Sequence, residues 1–177
     1  MEFSYEIKIP KDRVAVLVGI KGSVKRKIEK ALEVNIEIDS KEGDVFLEGN
    51  DSLKLLNAQN IVRAIGRGFN PEFAFDLLDE DNYLEILDIS DFTGDSKSNL
   101  ARVKARVIGT GGKARKTIEV LTITKIVVYG KTIGMIGSFE GVALARKAFE
   151  SLLSGNRHST VYAWLQKQRK QMRVSMY

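Results

Sequence analysis

VIGTGGKARKTIE, residues 107–119, decides the architecture of this 177-residue chain, because an earlier segment repeats it. That segment is LVGIKGSVKRKIE, residues 17–29, at an offset of 90 positions. The offset pairs two glycines and an isoleucine of each copy: Gly19 with Gly109, Gly22 with Gly112, and Ile28 with Ile118. Self-similarity over such a distance predicts two copies of one folding unit.

The residues around the glycines repeat in kind as well. Apolar residues three or four positions apart predict a short helix on each side of both glycine pairs, and β-branched stretches then predict two strands. A strand opens each copy. A longer amphipathic helix closes it, capped by Asp51 or Ser52 in the first copy and by Ser138 in the second. The order strand, helix, G-x-x-G, helix, strand, strand, helix therefore occurs twice, which predicts an α+β fold.

The domain boundaries follow from this repeat. We expect a first domain over residues 1–69 and a second over residues 83–153. Between them, residues 70–82 are predicted to form an acidic linker with a short helix at Glu72 to Leu78. Residues 154–177 are predicted to form a basic C-terminal helix or tail.

Charge is distributed unevenly along the chain. Residues 1–69 carry +1, residues 70–95 carry −9, residues 96–153 carry +8 and residues 154–177 carry +5. The part from residue 96 onward therefore holds +13, which is typical of a surface that binds a polyanion. The alternative is that these lysines and arginines only solvate surface helices.

Composition excludes several classes of function. The chain has no cysteine and one histidine, which excludes disulfides, thiol chemistry and a multi-histidine metal site. No apolar run approaches the ~18 residues of a membrane span and no signal peptide is recognisable, so we expect a soluble, cytoplasmic protein. Gly112-Lys113 is followed by Ala114, not by the hydroxyl residue of a P-loop, and the strand that precedes a dinucleotide fingerprint is missing. No cofactor is predicted.

Helix, G-x-x-G, helix and strand in this order resemble a KH domain. Both copies place an aliphatic pair before the first glycine and an isoleucine six positions after the second. The element order is similar to the type I arrangement. The resemblance implies two tandem type I KH domains, each a three-stranded sheet with helices on one face, plus a C-terminal helix.

The glycine spacing also has a physical meaning of its own. Two glycines three positions apart allow a tight turn between helices and let a sugar-phosphate chain approach without Cβ interference. The N–H groups at the start of the second helix then face the phosphates, and about four unpaired nucleotides lie in the adjoining groove. The predicted RNA-binding residues are Val103, Ile108, Gly109, Thr110, Gly111, Gly112, Lys113, Arg115, Lys116 and Ile126 in the second copy, and Gly19, Ile20, Lys21, Gly22, Lys25 and Arg26 in the first. Core packing is the alternative role of the aliphatic members.

The whole chain is similar to archaeal members of a small-ribosomal-subunit assembly family, relatives of the eukaryotic partner of the NOB endonuclease. This resemblance implies a non-catalytic guide that binds single-stranded RNA near the 3′ end of small-subunit rRNA. Its implied partners are an rRNA-trimming endonuclease and other assembly or translation factors. In eukaryotic members the first module has usually lost its G-x-x-G, whereas residues 19–22 retain it here.

Two alternatives stay open at this point. One is a metal-dependent RNA-processing enzyme in which Asp76, Asp79 and Asp81 hold Mg²⁺. The other is a general single-strand RNA binder in RNA decay. Because the second copy carries the excess positive charge, we also hypothesise that it is the main RNA reader.

Overall fold

The computed structural model describes residues 1–175, which form one compact unit from Met1 to Glu80 and another from Asp81 onward. The first unit contains, in chain order, β1 (Phe3–Lys8), α1 (Lys11–Val18), α2 (Ser23–Leu32), β2 (Val34–Asp39), β3 (Asp44–Gly49), α3 (Ser52–Gly66) and α4 (Pro71–Ala74), followed by a 3₁₀ turn at Phe75–Leu78.

The second unit repeats the order from β1 to α3, lacks a counterpart of α4 and contains two additional helices. Its elements are β4 (Asn82–Asp88), α5 (Ser90–Thr93), α6 (Lys97–Ile108), α7 (Lys113–Thr122), β5 (Lys125–Tyr129), β6 (Thr132–Ser138), α8 (Phe139–Leu153) and α9 (His158–Val174). The short helix α5 is absent from the sequence-based prediction. The fold is mixed α and β, as predicted.

Each unit contains a three-stranded antiparallel sheet. The strand orders are β1-β3-β2 and β4-β6-β5, so the third strand of each unit in chain order lies in the centre of its sheet. The two edge strands β2 and β5 occupy equivalent positions, with Ile36 opposite Leu47 and Ile126 opposite Met135. Along β2 and β3, buried aliphatic residues alternate with exposed ones, as expected for a sheet with one face on a core.

Each unit has its own hydrophobic core of residues from helices and sheet. In the first unit Leu17, Ile28, Ile36, Leu47 and Ile61 are fully buried, and in the second unit Val107, Ile118, Ile133, Met135 and Phe149 are fully buried. Burial of one such side chain contributes about 1.5–3 kcal/mol. The paired isoleucines of the repeat, Ile28 and Ile118, are therefore structural residues.

The predicted helix caps are confirmed. The Asp51 carboxylate accepts hydrogen bonds from the backbone N–H groups of Leu53 and Lys54 at the start of α3. The Ser138 hydroxyl accepts one from the N–H of Gly141 at the start of α8. Both closing helices begin where the sequence predicts, because a side-chain oxygen satisfies their first donors.

The structure distributes the predicted linker differently. Residues 71–78 pack against α3 as part of the first unit, with Ala74 and Leu77 buried and their acidic neighbours exposed. The apolar residues between the acids give this segment a face that can be buried, so the unit boundary follows Glu80.

The basic C-terminal segment forms helix α9, which packs against α7 and α8 through Val161 and Leu165. The last two residues of the predicted tail, 176 and 177, lie outside the described residues. Within residues 1–175, none of the helices combines the length and hydropathy that a bilayer crossing requires.

Candidate nucleic-acid interface

The two glycine loops share one backbone conformation. Their first glycines have φ/ψ of 76°/176° at Gly19 and 76°/169° at Gly109, and their last have 76°/15° at Gly22 and 77°/15° at Gly112. The third position is left-handed in both, with φ of 53° at Lys21 and 62° at Gly111. The second copy uses glycine where this conformation favours it, and the first accommodates a lysine.

The first and last glycines of each loop serve different purposes. A Cβ on Gly109 would lie 2.7 Å from the backbone nitrogen of Ala114, and one on Gly19 would lie 2.7 Å from that of Val24. The first glycine therefore permits the close contact between two helices. By contrast, a Cβ on Gly112 would meet only side-chain atoms, none nearer than 3.8 Å. The outer side of the loop is thus open to a ligand.

Helices α2 and α7 begin directly at these loops. Their N-cap residues are Gly22 and Gly112, and within residues 1–175 no side chain caps either helix start. The first N–H groups of a helix lack partners inside the helix and carry its positive dipole end. Phosphate oxygens are suitable acceptors for them.

Cationic side chains surround the outer side of the loops. Arg115 Nη2 and Lys116 Cε each lie 3.8 Å from a Cβ placed on Gly112, and Arg26 Nη1 lies 3.7 Å from one placed on Gly22. Lys113, the first residue of α7, is exposed. The loop tips are exposed too, with Ile20 84% exposed and Thr110 exposed at the equivalent position.

Some of the predicted cations are already paired. Arg115 forms an ion pair with Glu119 and donates to the backbone carbonyl of Ile126 at 3.4 Å. Lys25 lies 3.9 Å from Glu29. Arg115 therefore connects α7 to the edge strand β5, and both cations contribute less unpaired charge to their loops than the sequence suggests.

The aliphatic residues of the second copy that are predicted to bind RNA, Val103, Ile108 and Ile126, lie largely in the core. Val103 and Ile126 are 7% and 5% exposed and belong to the hydrophobic cluster of the second unit. Ile108 is half-buried against the same cluster. Since these side chains pack within the cluster, little of Val103 or Ile126 is left to contact a base.

Side chains of the second helix contact the outward backbone groups of the edge strands. The N–H of Ile36 on β2 donates to the Glu29 carboxylate at 2.9 Å, and the carbonyl of Ile126 on β5 accepts from Arg115. Both groups point away from the sheet, toward the side chains that rise from the second helix. Glu29 and Glu119 thus occupy the groove wall in equivalent positions, a role that the sequence-based prediction missed although the offset of 90 pairs them.

The acidic segment does not form a metal site. Within residues 1–175, no group of three or more acidic or histidine side chains is arranged to hold a metal ion. Asp76, Asp79 and Asp81 are exposed; Asp76 lies in the 3₁₀ turn that ends the first unit, and the other two follow it in the chain.

Comparison with known proteins adds to this geometry. A family model described as "Eukaryotic type KH-domain (KH-domain type I)" matches residues 83–170. The KH domain-containing protein MJ0443 of Methanocaldococcus jannaschii is 46% identical, over 97% of this chain and 76% of that protein. RNA-binding protein pno1 of Dictyostelium discoideum is 32% identical, over 90% of this chain and 69% of that protein. The crystal structure of an a/eIF2alpha-aDim2p-rRNA complex from Pyrococcus horikoshii contains a chain that is 41% identical, with a TM-score of 0.89 over 96% of both chains.

The second unit is therefore a KH domain of type I. The similarity to MJ0443 and pno1 extends over nearly the whole chain. The chain belongs to the PNO1/Dim2 family, other members of which are named pre-rRNA-processing proteins.

Proposed function

We propose that this chain is a single-stranded RNA-binding protein that contacts the 3′ region of small-subunit rRNA during ribosome maturation. The observation that carries the proposal is the pair of glycine loops with one backbone conformation. Each loop opens a helix whose first N–H groups have no side-chain cap within residues 1–175, and each has a cation within 4 Å of its outer side. A phosphate chain satisfies both the N–H donors and the cations.

We further propose that the first unit is a second type I KH domain. Its element order, its strand order β1-β3-β2 and its loop dihedral angles match those of the second unit. Two such modules in one chain would hold about eight nucleotides, four in each. The RNA would contact the glycine loops and the adjoining edge strands β2 and β5.

Support for rRNA as the target comes from the relatives. The Pyrococcus horikoshii complex holds a Dim2p chain, rRNA and the translation factor a/eIF2alpha. A translation factor is therefore the first protein partner to test, and an rRNA-trimming endonuclease is the second. Neither partnership requires this chain to cut RNA, and we propose a non-catalytic role in the cytoplasm.

Binding and cleavage can be tested on the full chain together. The probe is a labelled RNA of about twelve nucleotides from the 3′ end of small-subunit rRNA, compared with a shuffled RNA and with DNA of the same sequence. We expect the cognate RNA to bind at least about tenfold more tightly than either control and to be recovered intact after incubation with Mg²⁺.

Equal affinity for the cognate and shuffled RNA would contradict the rRNA assignment and favour a general single-strand binder. Mg²⁺-dependent cleavage that disappears when Asp76, Asp79 and Asp81 are all changed to Asn would instead support the enzyme alternative.

A further inference from the structure

A cleft of about 400 Å³ lies between the second glycine loop and the start of α9. The residues that matter for its chemistry come from three parts of the second unit: Arg106 from α6, Gly109, Thr110 and Lys113 from the loop and the start of α7, and His158 and Tyr162 from α9. Nothing in the function proposed above uses this space.

The cleft and the groove lie on different sides of α7. Ala114 lines the cleft, and Thr117, three positions later, lies near the Tyr162 side chain on α9. Arg115 and Glu119 point instead toward the edge strand β5. Successive helix residues are rotated by about 100°, so these two pairs lie on separate faces. The glycine loop therefore lies between the cleft and the groove, and an RNA strand bound at the loop has access to both.

The lining of the cleft is cationic. The Arg106 guanidinium donates to the backbone carbonyl of Leu152 at 3.1 Å and to that of Asn156. Since carbonyls are uncharged, these bonds fix the guanidinium without neutralising it. Lys113 adds a second positive charge, and none of the residues lining the cleft is acidic. An anionic ligand is the electrostatic complement of this lining.

Aromatic rings form the opposite wall. The rings of His158 and Tyr162 are 6.1 Å apart in an edge-to-face arrangement. His158 Nε2 donates to the carbonyl of Arg106 at 2.8 Å, and Tyr162 is half-buried against the core of the second unit. These contacts restrict both rings before any ligand binds. Rigid aromatic rings beside a cationic surface are a suitable platform for a nucleobase.

The first unit lacks these charges at the corresponding positions. At the offset of 90, Arg106 replaces Val16, Lys113 replaces Ser23, and the smaller Ala114 replaces Val24. On the equivalent face of α2, the ammonium of Lys27 is 4.1 Å from the centre of the Phe75 ring. The cationic cleft is thus a feature of the second unit and its C-terminal helix.

We propose that this cleft binds one nucleotide of the RNA strand, next to those in the groove of the second unit. Lys113 and Arg106 hold its phosphate, and its base stacks on Tyr162. Helix α9 is then part of the RNA-binding surface in addition to its packing role. This inference rests on the proposed function, because it requires an RNA chain at the glycine loop.

Stepwise extension of the RNA tests the proposal on the full chain. The probes are fragments from the 3′ end of small-subunit rRNA, lengthened by one nucleotide at a time at either end. For the wild-type protein we expect one extension to increase affinity about tenfold, the effect of one stacked base. Tyr162→Leu should abolish this increase, while Tyr162→Phe, which keeps the ring, should retain it.

The charge is tested by a matched pair of lysine variants. Lys113→Gln should reduce the gain from that extension, whereas Lys97→Gln should not, because Lys97 is at the opposite end of α6, about 18 Å from the loop. Equal gains in wild type, Tyr162→Leu and Lys113→Gln would overturn the inference while leaving the proposed function intact. Failure of every RNA to bind the wild-type protein would overturn both.

Crosslinking of the unmodified protein avoids any loss of folding in the variants. RNA that carries 4-thiouridine at the extended position is irradiated in complex with the wild-type chain, and the crosslinked peptide is identified by mass spectrometry. A crosslink to His158 or Tyr162 supports the cleft. Crosslinks confined to residues of the groove, such as Ile108 and Arg115, would overturn it.

Discussion

Gly109 and Gly111 belong to the same loop, but only Gly109 is fixed by its neighbours. A Cβ on Gly109 would lie 2.7 Å from the backbone nitrogen of Ala114, which cannot move without shifting α7. A Cβ on Gly111 would have no atom within 4 Å. The two glycines therefore differ in whether their surroundings leave room for a side chain, although their positive φ angles are similar.

We expect Gly109→Ala to lower the free energy of unfolding by about 3 kcal/mol and Gly111→Ala by about 1 kcal/mol. The first substitution combines a backbone clash with an unfavourable φ, and the second has the unfavourable φ alone. Urea denaturation followed by circular dichroism measures both values. Similar losses for the two variants would mean that the close contact with Ala114 is not what selects glycine.

Ile123 is another residue whose conformation conflicts with its type. This β-branched residue ends α7 with φ of 54° and is 75% exposed. Its N–H still satisfies the Glu119 carbonyl, as a helix end requires. The left-handed conformation costs an L-residue roughly 1–2 kcal/mol.

Ile123→Gly should therefore stabilise the second unit by about 1 kcal/mol, since it relieves this strain and little apolar burial is lost. Ile123→Ala is the matched control, because it removes the same side chain but keeps the unfavourable φ. The melting temperatures of wild type, Ile123→Gly and Ile123→Ala distinguish relief of strain from loss of the side chain. Equal stabilisation by both substitutions would show that the gain comes from removing an exposed apolar side chain and not from relieving the unfavourable φ.

At the scale of elements, α9 is the longer of the two helices of the second unit that have no counterpart in the first. Val161 and Leu165 are 2% and 1% exposed against α7 and α8. The helix therefore belongs to the fold of the unit and does not extend freely from it.

Leu165→Ala should lower the stability of the second unit by about 3 kcal/mol, because it leaves a cavity under α9. Hydrogen exchange should increase in α7, α8 and α9 but not in β1 to α3. Lys167→Ala, on the exposed face of the same helix, should change exchange only locally. Uniformly faster exchange in both units after Leu165→Ala would contradict the division into two separate cores.

The main elements of both units could be predicted from sequence because their signals are local. Helical periodicity, β-branched strands and the caps at Asp51 and Ser138 each depend on a few neighbouring residues. The association of residues 71–78 with the first unit could not be predicted, because acidic residues dominate this segment and its few apolar residues are buried only after α3 is in place.

The candidate site also has features that could be predicted from the sequence and features that could not. The loop glycines follow from the repeat itself. The contact of Arg115 with the Ile126 carbonyl, and that of Glu29 with the N–H of Ile36, depend on how the second helix lies along the edge strand. The cleft depends on where α9 packs, and a sequence pattern in α9 alone indicates only a basic amphipathic helix.

At the scale of the whole molecule, positive charge is concentrated in the second unit, whereas the loop geometry is shared by both. The first 69 residues carry +1, and the residues from 96 onward carry +13. Long-range electrostatics therefore favour the second unit as the main RNA reader, and local geometry gives both units a phosphate-binding loop.

Salt dependence measures the phosphate contribution. RNA affinity should fall steeply as salt increases, and loss of one cation that contacts phosphate should flatten the slope of log K against log salt by about 0.7. We expect this change for Lys116→Gln, beside Gly112, and not for Lys97→Gln. An unchanged slope for Lys116→Gln would show that this lysine does not contact phosphate.

The most direct test of the central claim is to place carboxylates in each glycine loop. One variant combines Gly111→Asp with Gly112→Asp, and the other combines Lys21→Asp with Gly22→Asp. No new Cβ would clash, because one on Gly112 or Gly22 would have no neighbour nearer than 3.7 Å and one on Gly111 would have none within 4 Å. The positive φ of each glycine costs about 1–2 kcal/mol on substitution, so the stability of both variants is measured alongside their affinity.

Affinity for the 3′-terminal rRNA fragment is then compared with that of wild type, with melting temperature as the check on folding. We expect each variant to bind at least about tenfold more weakly, with the larger loss in the second loop, because carboxylates repel phosphate. A larger loss in the first loop would reverse the ranking of the units. Wild-type affinity in both folded variants would contradict the claim that these loops bind the RNA chain.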